Sequence, residues 1–259
     1  MAREEAHCRV DDVSLNYVKA GRGDHYVLCL PGAIGSWQTD FKIVLDKFDH
    51  DDFTIVCWDP PGFGKSRPPN RDFSPGYNAR DASKAFKLMQ ALNLLPFSIF
   101  GWSDGGITAL QIGFQQRNTD NVNKIVIWGS TSYVTEEMVM VYRGVMDTSK
   151  WSEHSRRPYV EMYGEEYFQW AWANHLQARI DLFERHNGNK CREIVPFVPQ
   201  PVLILHGKND IYATQEHPDF FLRTLPNSKL LIKDGAAHNL HIQHFNWFKQ
   251  HVSDFLLNH

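Results

Sequence analysis

The sequence predicts an α/β fold built on a mostly parallel, eight-stranded sheet with helices on both of its faces. Three observations support this prediction. Short strand-like segments alternate with helical segments along most of the chain, which is typical of strand–helix–strand units. The central strand segments are almost wholly apolar, as strands are when both faces of a sheet are covered. The alternation then stops between residues 132 and 196, where no convincing strand occurs.

The elements of the N-terminal half follow from their apolar patterns. A short alternating hairpin is predicted around Asp11 and Asp12, which form a weak turn signal. The segment 78–92 is amphipathic, because its apolar residues recur at helical spacing along one face. The predicted strands are Cys8–Val10, Val13–Val18, Tyr26–Leu30, Thr54–Trp58, Phe97–Phe100 and Lys124–Trp128, and the predicted helices are Trp37–Phe48, Asn78–Leu92 and Ile107–Gln116.

Residues 132–196 are dense in aromatic, methionine and charged side chains. We expect several helices that form a cap over the sheet, inserted into a core domain of residues 1–131 and 197–259. A helical extension that packs elsewhere is the alternative. A proline-rich stretch that starts at Pro196 marks the return to the sheet. The last predicted elements are strands Val202–His206 and Lys229–Lys233 and helices His217–Thr224 and Leu240–Leu257.

The composition is that of an ordinary globular protein. The chain has 259 residues, of which 42% are hydrophobic and 22% are charged, which is enough for one large core. Lys and Arg number 27 against 30 Asp and Glu, so neither nucleic acid nor a membrane is expected as a partner. No apolar run approaches the ~20 residues that span a bilayer. We expect a monomer that acts on a small molecule.

The location of the protein is predicted from its N-terminus and its cysteines. The first residues lack the apolar core of a signal peptide and are too acidic for a transit peptide. The four cysteines are scattered without a C-x-x-C motif, which favours buried, reduced thiols: Cys8, Cys29, Cys57 and Cys191. We therefore expect a cytoplasmic or mitochondrial protein rather than a secreted one.

The segment Gly101–Gly105 reads Gly-Trp-Ser-Asp-Gly, a G-x-S-x-G match between a predicted strand and a predicted helix. In that context the motif predicts a nucleophile elbow, a tight turn that exposes the hydroxyl of Ser103 at a helix N-terminus. The flanking glycines leave room where the strand and the helix pass close together. We expect a strained backbone at Ser103.

A nucleophilic Ser103 needs a base, and the base needs an acid that orients it. After a nucleophile elbow the acid comes first along the chain and the histidine last. Asp210 follows one apolar strand and His238 follows the next, so both are expected at the sheet edge that carries Ser103. The rival acids are Glu216, Asp234 and, more weakly, Asp59, and the rival bases are His206, His241 and His244.

His238, His241 and His244 are spaced by three residues, and such a spacing can converge on a metal ion. No nearby carboxylate completes a familiar ligand set, and a solvated histidine face is more common. We therefore expect no metal ion and no other cofactor. We also expect His241 and His244 to lie on the closing helix and to point away from the site.

The oxyanion of an acyl-transfer intermediate needs backbone N–H donors. The N–H of Asp104 is one candidate, and the loop after the strand Tyr26–Leu30 offers the other at Ala33 or Ile34. The side chain of Asp104 also places an anion beside the nucleophile, which either stabilises the helix N-terminus or binds substrate. Because this anion opposes the developing oxyanion, we favour a substrate role, in which a substrate ammonium gains about 1.5–3 kcal/mol.

These residues resemble the α/β-hydrolase superfamily, and most closely its biphenyl hydrolase-like, or valacyclovir hydrolase, group. The Trp and Asp that flank Ser103 are more specific to that group than the elbow alone. The resemblance extends from about residue 26 to 242 and is carried by Leu30–Ser36, Thr39–Phe41, Trp58–Pro69, Gly101–Leu110, Val126–Gly129, Tyr133–Glu136, Ser149–Glu153, His206–Gly207 with Asp210, and His238–His241.

The resemblance implies a serine hydrolase with a helical cap that cleaves esters of α-amino acids, including prodrug esters, and amino acid thiolactones. It implies a triad of Ser103, Asp210 and His238, with Asp104 as the anchor of the substrate amine. It also places Ile34 near the oxyanion hole and the acyl pocket. The segment 168–183 departs from the group. The alternatives are a carbon–carbon hydrolase of ring-cleavage products, whose substrates are anionic, and a non-catalytic receptor on the same scaffold.

Overall fold

The computed structural model describes residues 3–258, and its centre is one eight-stranded sheet. The strands are β1 (Glu4–Val10), β2 (Val13–Gly21), β3 (His25–Leu30), β4 (Phe53–Trp58), β5 (Phe97–Trp102), β6 (Val122–Trp128), β7 (Val202–Gly207) and β8 (Ser228–Lys233). Their spatial order is β1-β2-β4-β3-β5-β6-β7-β8. β1 and β2 form the predicted hairpin, β2 pairs with β4 in antiparallel fashion, and all other pairs are parallel.

Helices cover both faces of the sheet, as predicted for strands that are apolar throughout. The helices are α1 (Lys42–Lys47), α2 (Tyr77–Ala91), α3 (Asp104–Gln115), α4 (Glu136–Val145), α5 (Glu153–Tyr163), α6 (Glu165–His186), α7 (Glu216–Thr224), α8 (Leu240–Gln243) and α9 (Phe245–Leu257). α2, α3 and α7 pack on one face, and α1 and α9 pack on the other. Every residue of β4, β5 and β7 is therefore buried, and the predicted fold class is confirmed.

Two predicted helices differ in detail. The segment predicted as Trp37–Phe48 begins as a π-helical turn over Trp37–Phe41, and only Lys42–Lys47 is α-helical. A capping box between Ser36 and Thr39 starts this turn. The closing helix is broken at His244, whose φ of −125° and ψ of 45° lie outside the helical region.

The segment between β6 and β7 contains α4, α5 and α6 together with short 3₁₀ turns at Thr148–Lys150 and Val195–Phe197. It lies over the loops at the carboxyl ends of the strands. The Tyr163 hydroxyl donates to the carbonyl of Ile34 at 2.8 Å, and the Tyr167 hydroxyl donates to that of Gly62 at 2.6 Å. Phe168 is fully buried in the same apolar cluster as Ile34 and Tyr163. The segment therefore roofs the sheet edge where the candidate catalytic residues lie.

Three of the four free cysteines, Cys29, Cys57 and Cys191, are buried, whereas Cys8 on the edge strand β1 is partly exposed. Within residues 3–258, each helix falls short of the length or the apolar character that crossing a bilayer would require.

Candidate active site

Ser103 lies at a sharp turn between β5 and α3, with φ of 54° and ψ of −117°. A non-glycine residue in such a conformation stores strain of about 1–3 kcal/mol and needs support from its surroundings. The support comes from β6 and the loop after it. The N–H of Ser103 donates to the carbonyl of Trp128 at 2.9 Å, and the hydroxyl of Ser130 donates to the carbonyl of Ser103 at 2.9 Å.

The turn also depends on the missing side chains of its glycines. A Cβ atom on Gly105 would lie 2.0 Å from the carbonyl oxygen of Leu30, and one on Gly106 would lie 1.8 Å from the Ser130 hydroxyl. The start of α3 therefore packs directly against the end of β3. This close approach brings the loop after β3 next to the nucleophile.

The structure brings the three predicted triad residues together. His238 Nε2 lies 3.1 Å from Ser103 Oγ, and His238 Nδ1 lies 2.9 Å from Asp210 Oδ2. The other oxygen of Asp210 accepts the backbone N–H groups of Tyr212 and Ala213, each at 2.9 Å. Burial would raise the pKa of Asp210, but the hydrogen bonds from His238 and these amides outweigh it and lower the pKa. An ionised Asp210 keeps the proton of His238 on Nδ1, which leaves Nε2 free to accept from Ser103.

The rival acids lie elsewhere. Asp234 is exposed and forms an ion pair with Lys208 at 3.0 Å. Glu216 accepts the hydroxyl of Tyr133 at 3.1 Å. Asp59 is fully buried, and its oxygens accept the N–H groups of Trp37 and Lys65 and the amide of Asn16. Asp59 thus holds three chain segments together and does not contact His238.

One expectation about the histidines is wrong. His241 is completely buried instead of facing solvent. Trp128 Nε1 donates to its Nδ1 at 3.0 Å, so its Nε2 carries the proton and donates to the carbonyl of Asp40 at 2.9 Å. Burial lowers the pKa of His241 to about 3. His241 therefore links the loop that carries His238 to the π-helical turn that contains Asp40. His206 is also buried.

Two amides are available for the oxyanion. Within residues 3–258, the N–H groups of Ala33 and Asp104 have no protein acceptor, and both residues line the cavity that contains Ser103. Ile34 was expected to contact the substrate, but the structure buries it away from the cavity. It has φ of 51°, is 1% exposed and packs in the aromatic cluster of Phe63 and Phe168. Among the described residues that line the cavity, the loop after β3 contributes Ala33 but not Ile34.

Asp40 and Trp102 are functional neighbours that the sequence reasoning did not identify. Asp40 Oδ2 accepts the N–H of Gly32 at 2.8 Å, which fixes the loop that bears Ala33. Burial raises the pKa of Asp40 to about 7. Trp102 Nε1 donates to the carbonyl of His238 at 3.0 Å and so fixes the loop of the base. The only sequence signal for either residue was its place in a motif of the resemblance.

Asp104 lies next to Ser103 but is not a free anion. Arg179, from α6, forms an ion pair with Asp104 Oδ1. The Tyr77 hydroxyl and the Asn78 amide donate to Oδ2 at 3.0 and 3.3 Å. Burial would raise the pKa of Asp104, but the charge of Arg179 outweighs it together with smaller contributions from Lys190 and the Tyr77 hydrogen bond. The pKa is therefore lowered and the carboxylate stays ionised. The charge of Asp104 is thus balanced by the protein itself, which the sequence reasoning missed.

The site opens into a cavity of about 520 Å³. Its floor contains Ser103, His238 and Asp104, and the segment between β6 and β7 supplies its roof, which includes Met138, Tyr142, Trp151, Tyr159, Trp172 and Leu176. Two further polar side chains lie in its wall. Burial lowers the pKa of His175 to about 3 and that of Lys190 to about 7. The cavity therefore combines an apolar roof with one polar end.

Within residues 3–258, no group of three or more His, Cys, Asp or Glu side chains is arranged to hold a metal ion. The contacts of the histidine run explain this. His238 faces Ser103 and Asp210, whereas His241 is bonded to Trp128 and Asp40.

Comparisons with known proteins agree with this geometry. A family model for the alpha/beta hydrolase fold matches residues 26–153. Serine hydrolase BPHL of Mus musculus and of Homo sapiens are each 41% identical over 251 residues, which cover 97% of this chain and 86% of each relative.

More distant matches share the fold. The 2-hydroxy-6-oxononadienedioate/2-hydroxy-6-oxononatrienedioate hydrolase 2 of Pseudomonas putida is 27% identical, covering 95% of this chain and 92% of that protein. A solved serine hydrolase involved in carbazole degradation, the CarC enzyme, has a TM-score of 0.74 at 23% identity, covering 98% of this chain and 99% of that one. The chain therefore belongs to the α/β-hydrolase family and is a serine hydrolase similar to BPHL.

Proposed function

We propose that this serine hydrolase is an esterase that cleaves carboxylic esters through an acyl-enzyme on Ser103. The observation that carries the proposal is the hydrogen-bonded chain from Ser103 through His238 to Asp210 at the floor of a closed-over cavity. In the first step His238 Nε2 takes the proton of Ser103 as the hydroxyl oxygen attacks the ester carbonyl carbon. The N–H groups of Asp104 and Ala33 bind the oxyanion.

The remaining steps use the same groups in the opposite order. His238 gives its proton to the alkoxide of the leaving alcohol, and the acyl group stays on Ser103 as an ester. A water molecule then attacks this ester while His238 Nε2 takes its proton. Collapse of the second oxyanion releases the carboxylic acid and returns the proton to Ser103. Asp210 stabilises the imidazolium that forms in each half-reaction.

The substrates proposed here are carboxylic esters of α-amino acids, with thiolactones of the same acids as a related class. Two observations support this. The ionised carboxylate of Asp104 lines the cavity next to Ser103, and its three protein hydrogen bonds leave one lone pair for an ammonium. The 41% identity with serine hydrolase BPHL supports a serine hydrolase, and the resemblance of the motifs around Ser103 to the valacyclovir hydrolase group supports amino acid esters as its substrates. The aromatic roof formed by Trp151, Tyr159 and Trp172 suits a hydrophobic acyl side chain or an aromatic alcohol.

The test uses benzyl esters of hydrophobic amino acids, each paired with its N-acetylated form. We expect turnover of the free esters by the wild-type chain and a loss of several orders of magnitude in Ser103→Ala. A fluorophosphonate probe should label the wild type and not this variant. Failure to label Ser103 would contradict the esterase proposal and favour a receptor, and no turnover of any ester would contradict the proposal even if Ser103 is labelled.

A second candidate is a carbon–carbon hydrolase of ring-cleavage products. It is favoured by the amine of Lys190 in the cavity wall, because such substrates are anionic and an anion beside this amine favours its charged form. The relative from Pseudomonas putida has a name of this kind. A coloured ring-cleavage dienoate distinguishes the two candidates, since only a carbon–carbon hydrolase bleaches it in a reaction that needs Ser103.

A further inference from the structure

We propose that Arg179 determines substrate specificity by supplying from α6 the positive charge that a substrate ammonium would otherwise bring to Asp104. The enzyme would then act on esters with and without a free amine, and Arg179 would set the ratio between them. This inference rests on the esterase function proposed above. It concerns which esters are accepted, and not whether esters are cleaved.

The geometry of Arg179 is that of a fixed counter-charge. Its side chain is only 5% exposed, and its guanidinium Nη2 reaches both the carboxylate of Asp104 and the amide oxygen of Asn78, the latter at 3.1 Å. Its Cζ atom lies 4.8 Å from the centre of the Tyr77 ring. Because three neighbours hold it, Arg179 cannot swing into solvent without leaving buried charge unpaired.

The position of Asp104 explains why a counter-charge matters for the reaction. Its backbone N–H is a proposed donor to the oxyanion, so its carboxylate lies a few bonds from the place where negative charge develops. An uncompensated anion there would raise the barrier for every ester that carries no positive charge. An ammonium ester would bring its own compensation. With Arg179 in place the compensation is permanent, and neutral esters no longer suffer this penalty.

The other charges around Asp104 do not replace Arg179. His175 Nδ1 donates to the oxygen of the Tyr77 hydroxyl at 3.2 Å, because the one proton of that hydroxyl goes to Asp104. His175 is neutral at physiological pH because burial lowers its pKa to about 3. Lys190 donates to Thr131 at 2.6 Å and has no hydrogen bond to Asp104 among the described residues. Arg179 is therefore the charge that pairs with Asp104.

The experiment measures kcat/KM for L-phenylalanine benzyl ester and for its N-acetylated form, and takes the ratio of the two. Arg179→Gln removes the charge and keeps an amide donor for Asp104, Arg179→Met removes both, and Arg179→Lys keeps the charge as the matched control. We expect the ratio of free to acetylated ester to rise at least about tenfold in Arg179→Gln and Arg179→Met. The rise should come mainly from loss of activity on the acetylated ester. The ratio in Arg179→Lys should stay closer to that of the wild type.

Chemical rescue distinguishes a charge effect from a purely structural one, because an added cation cannot restore activity that was lost through misfolding. Millimolar methylguanidinium should restore activity of Arg179→Met on the acetylated ester and should not raise activity on the free ester. Thermal melting and fluorophosphonate titration establish which variant is folded, and the ratio is taken from that variant.

An unchanged ratio in folded Arg179→Gln or Arg179→Met, or a ratio that falls, would overturn the inference. These outcomes differ from failure of the proposed function, in which the wild type itself cleaves neither ester.

Discussion

His241 donates its Nε2 proton to the backbone carbonyl of Asp40 over 2.9 Å, in the interior of the protein. The contact joins the segment that follows His238 to the turn whose carboxylate holds Gly32. The loop of the base and the loop of the oxyanion donor are thus tied to each other. Burial acts on the two groups in opposite directions, since it raises the pKa of Asp40 and lowers that of His241.

The first prediction concerns Asp40 and stability. Its pKa is raised from 3.8 to about 7 in the folded chain, so the stability that its protonated form contributes is complete below about pH 4 and is lost as the pH rises to about 7. Relative to Asp40→Asn, the unfolding free energy of the wild type should fall by about 3–4 kcal/mol across this range. Urea unfolding at several pH values measures this difference. If the unfolding free energies of the wild type and Asp40→Asn change in parallel over this pH range, the prediction is contradicted.

The second prediction concerns His241 and has the opposite sign. Its pKa is lowered from 6.5 to about 3, so its contribution to stability is complete above about pH 6.5 and is lost as the pH falls toward 3. Relative to His241→Asn, the wild type should lose about 1.4 kcal/mol per pH unit in this window. The same urea series measures it, and a stability advantage of the wild type over His241→Asn that stays constant or shrinks as the pH rises from about 3 to about 6.5 would contradict it.

The third prediction distinguishes Asp210 from the rival acid Asp234. Asp210→Asn keeps the shape of the side chain but can no longer hold the correct tautomer of His238, so kcat should fall by about 10⁴. Asp234→Asn is the matched control, because Asp234 is exposed and pairs with Lys208. It should change kcat by less than about twofold. A large loss in Asp234→Asn, with little in Asp210→Asn, would reverse the assignment.

The fourth prediction tests the close approach of α3 and β3. Gly105→Ala adds a Cβ atom that would lie 2.0 Å from the carbonyl oxygen of Leu30. Displacement of the helix start should lower kcat/KM at least about 100-fold and destabilise the fold by about 1–3 kcal/mol. Gly144→Ala in α4 is the control, since its Cβ would meet nothing within 4 Å, and it should stabilise the protein by about 0.5–1 kcal/mol. Equal effects of the two substitutions on activity would contradict the role of Gly105.

The triad positions were predictable because each depends on local pattern. An apolar strand followed by small residues marks the sheet edge for Ser103, Asp210 and His238, and chain order then assigns their roles. The break at His244 was not predictable, because the apolar spacing continues through it. The burial of His241 was also hidden, since its two partners, Trp128 and Asp40, are 113 and 201 residues away along the chain.

The pairing of Asp104 with Arg179 is a clearer example of a contact that the sequence pattern cannot predict. The motif around Ser103 identifies Asp104 as an anion beside the nucleophile, but its partner lies 75 residues later in a 22-residue helix. That helix has aromatic and charged residues on most of its circumference, so its pattern does not reveal which side chain faces the site. Only the packing of α6 over the sheet shows that Arg179 balances the charge of Asp104.

The contrast between the two walls of the cavity has a consequence for protein engineering. The floor is fixed by backbone atoms in contact, as at Gly105 and Leu30, and tolerates no added side chain. The roof consists of side chains such as Trp151, Tyr159 and Trp172 on a separate set of helices. Laboratory evolution toward new esters should therefore accumulate its substitutions in the roof and leave the chemical machinery unaltered.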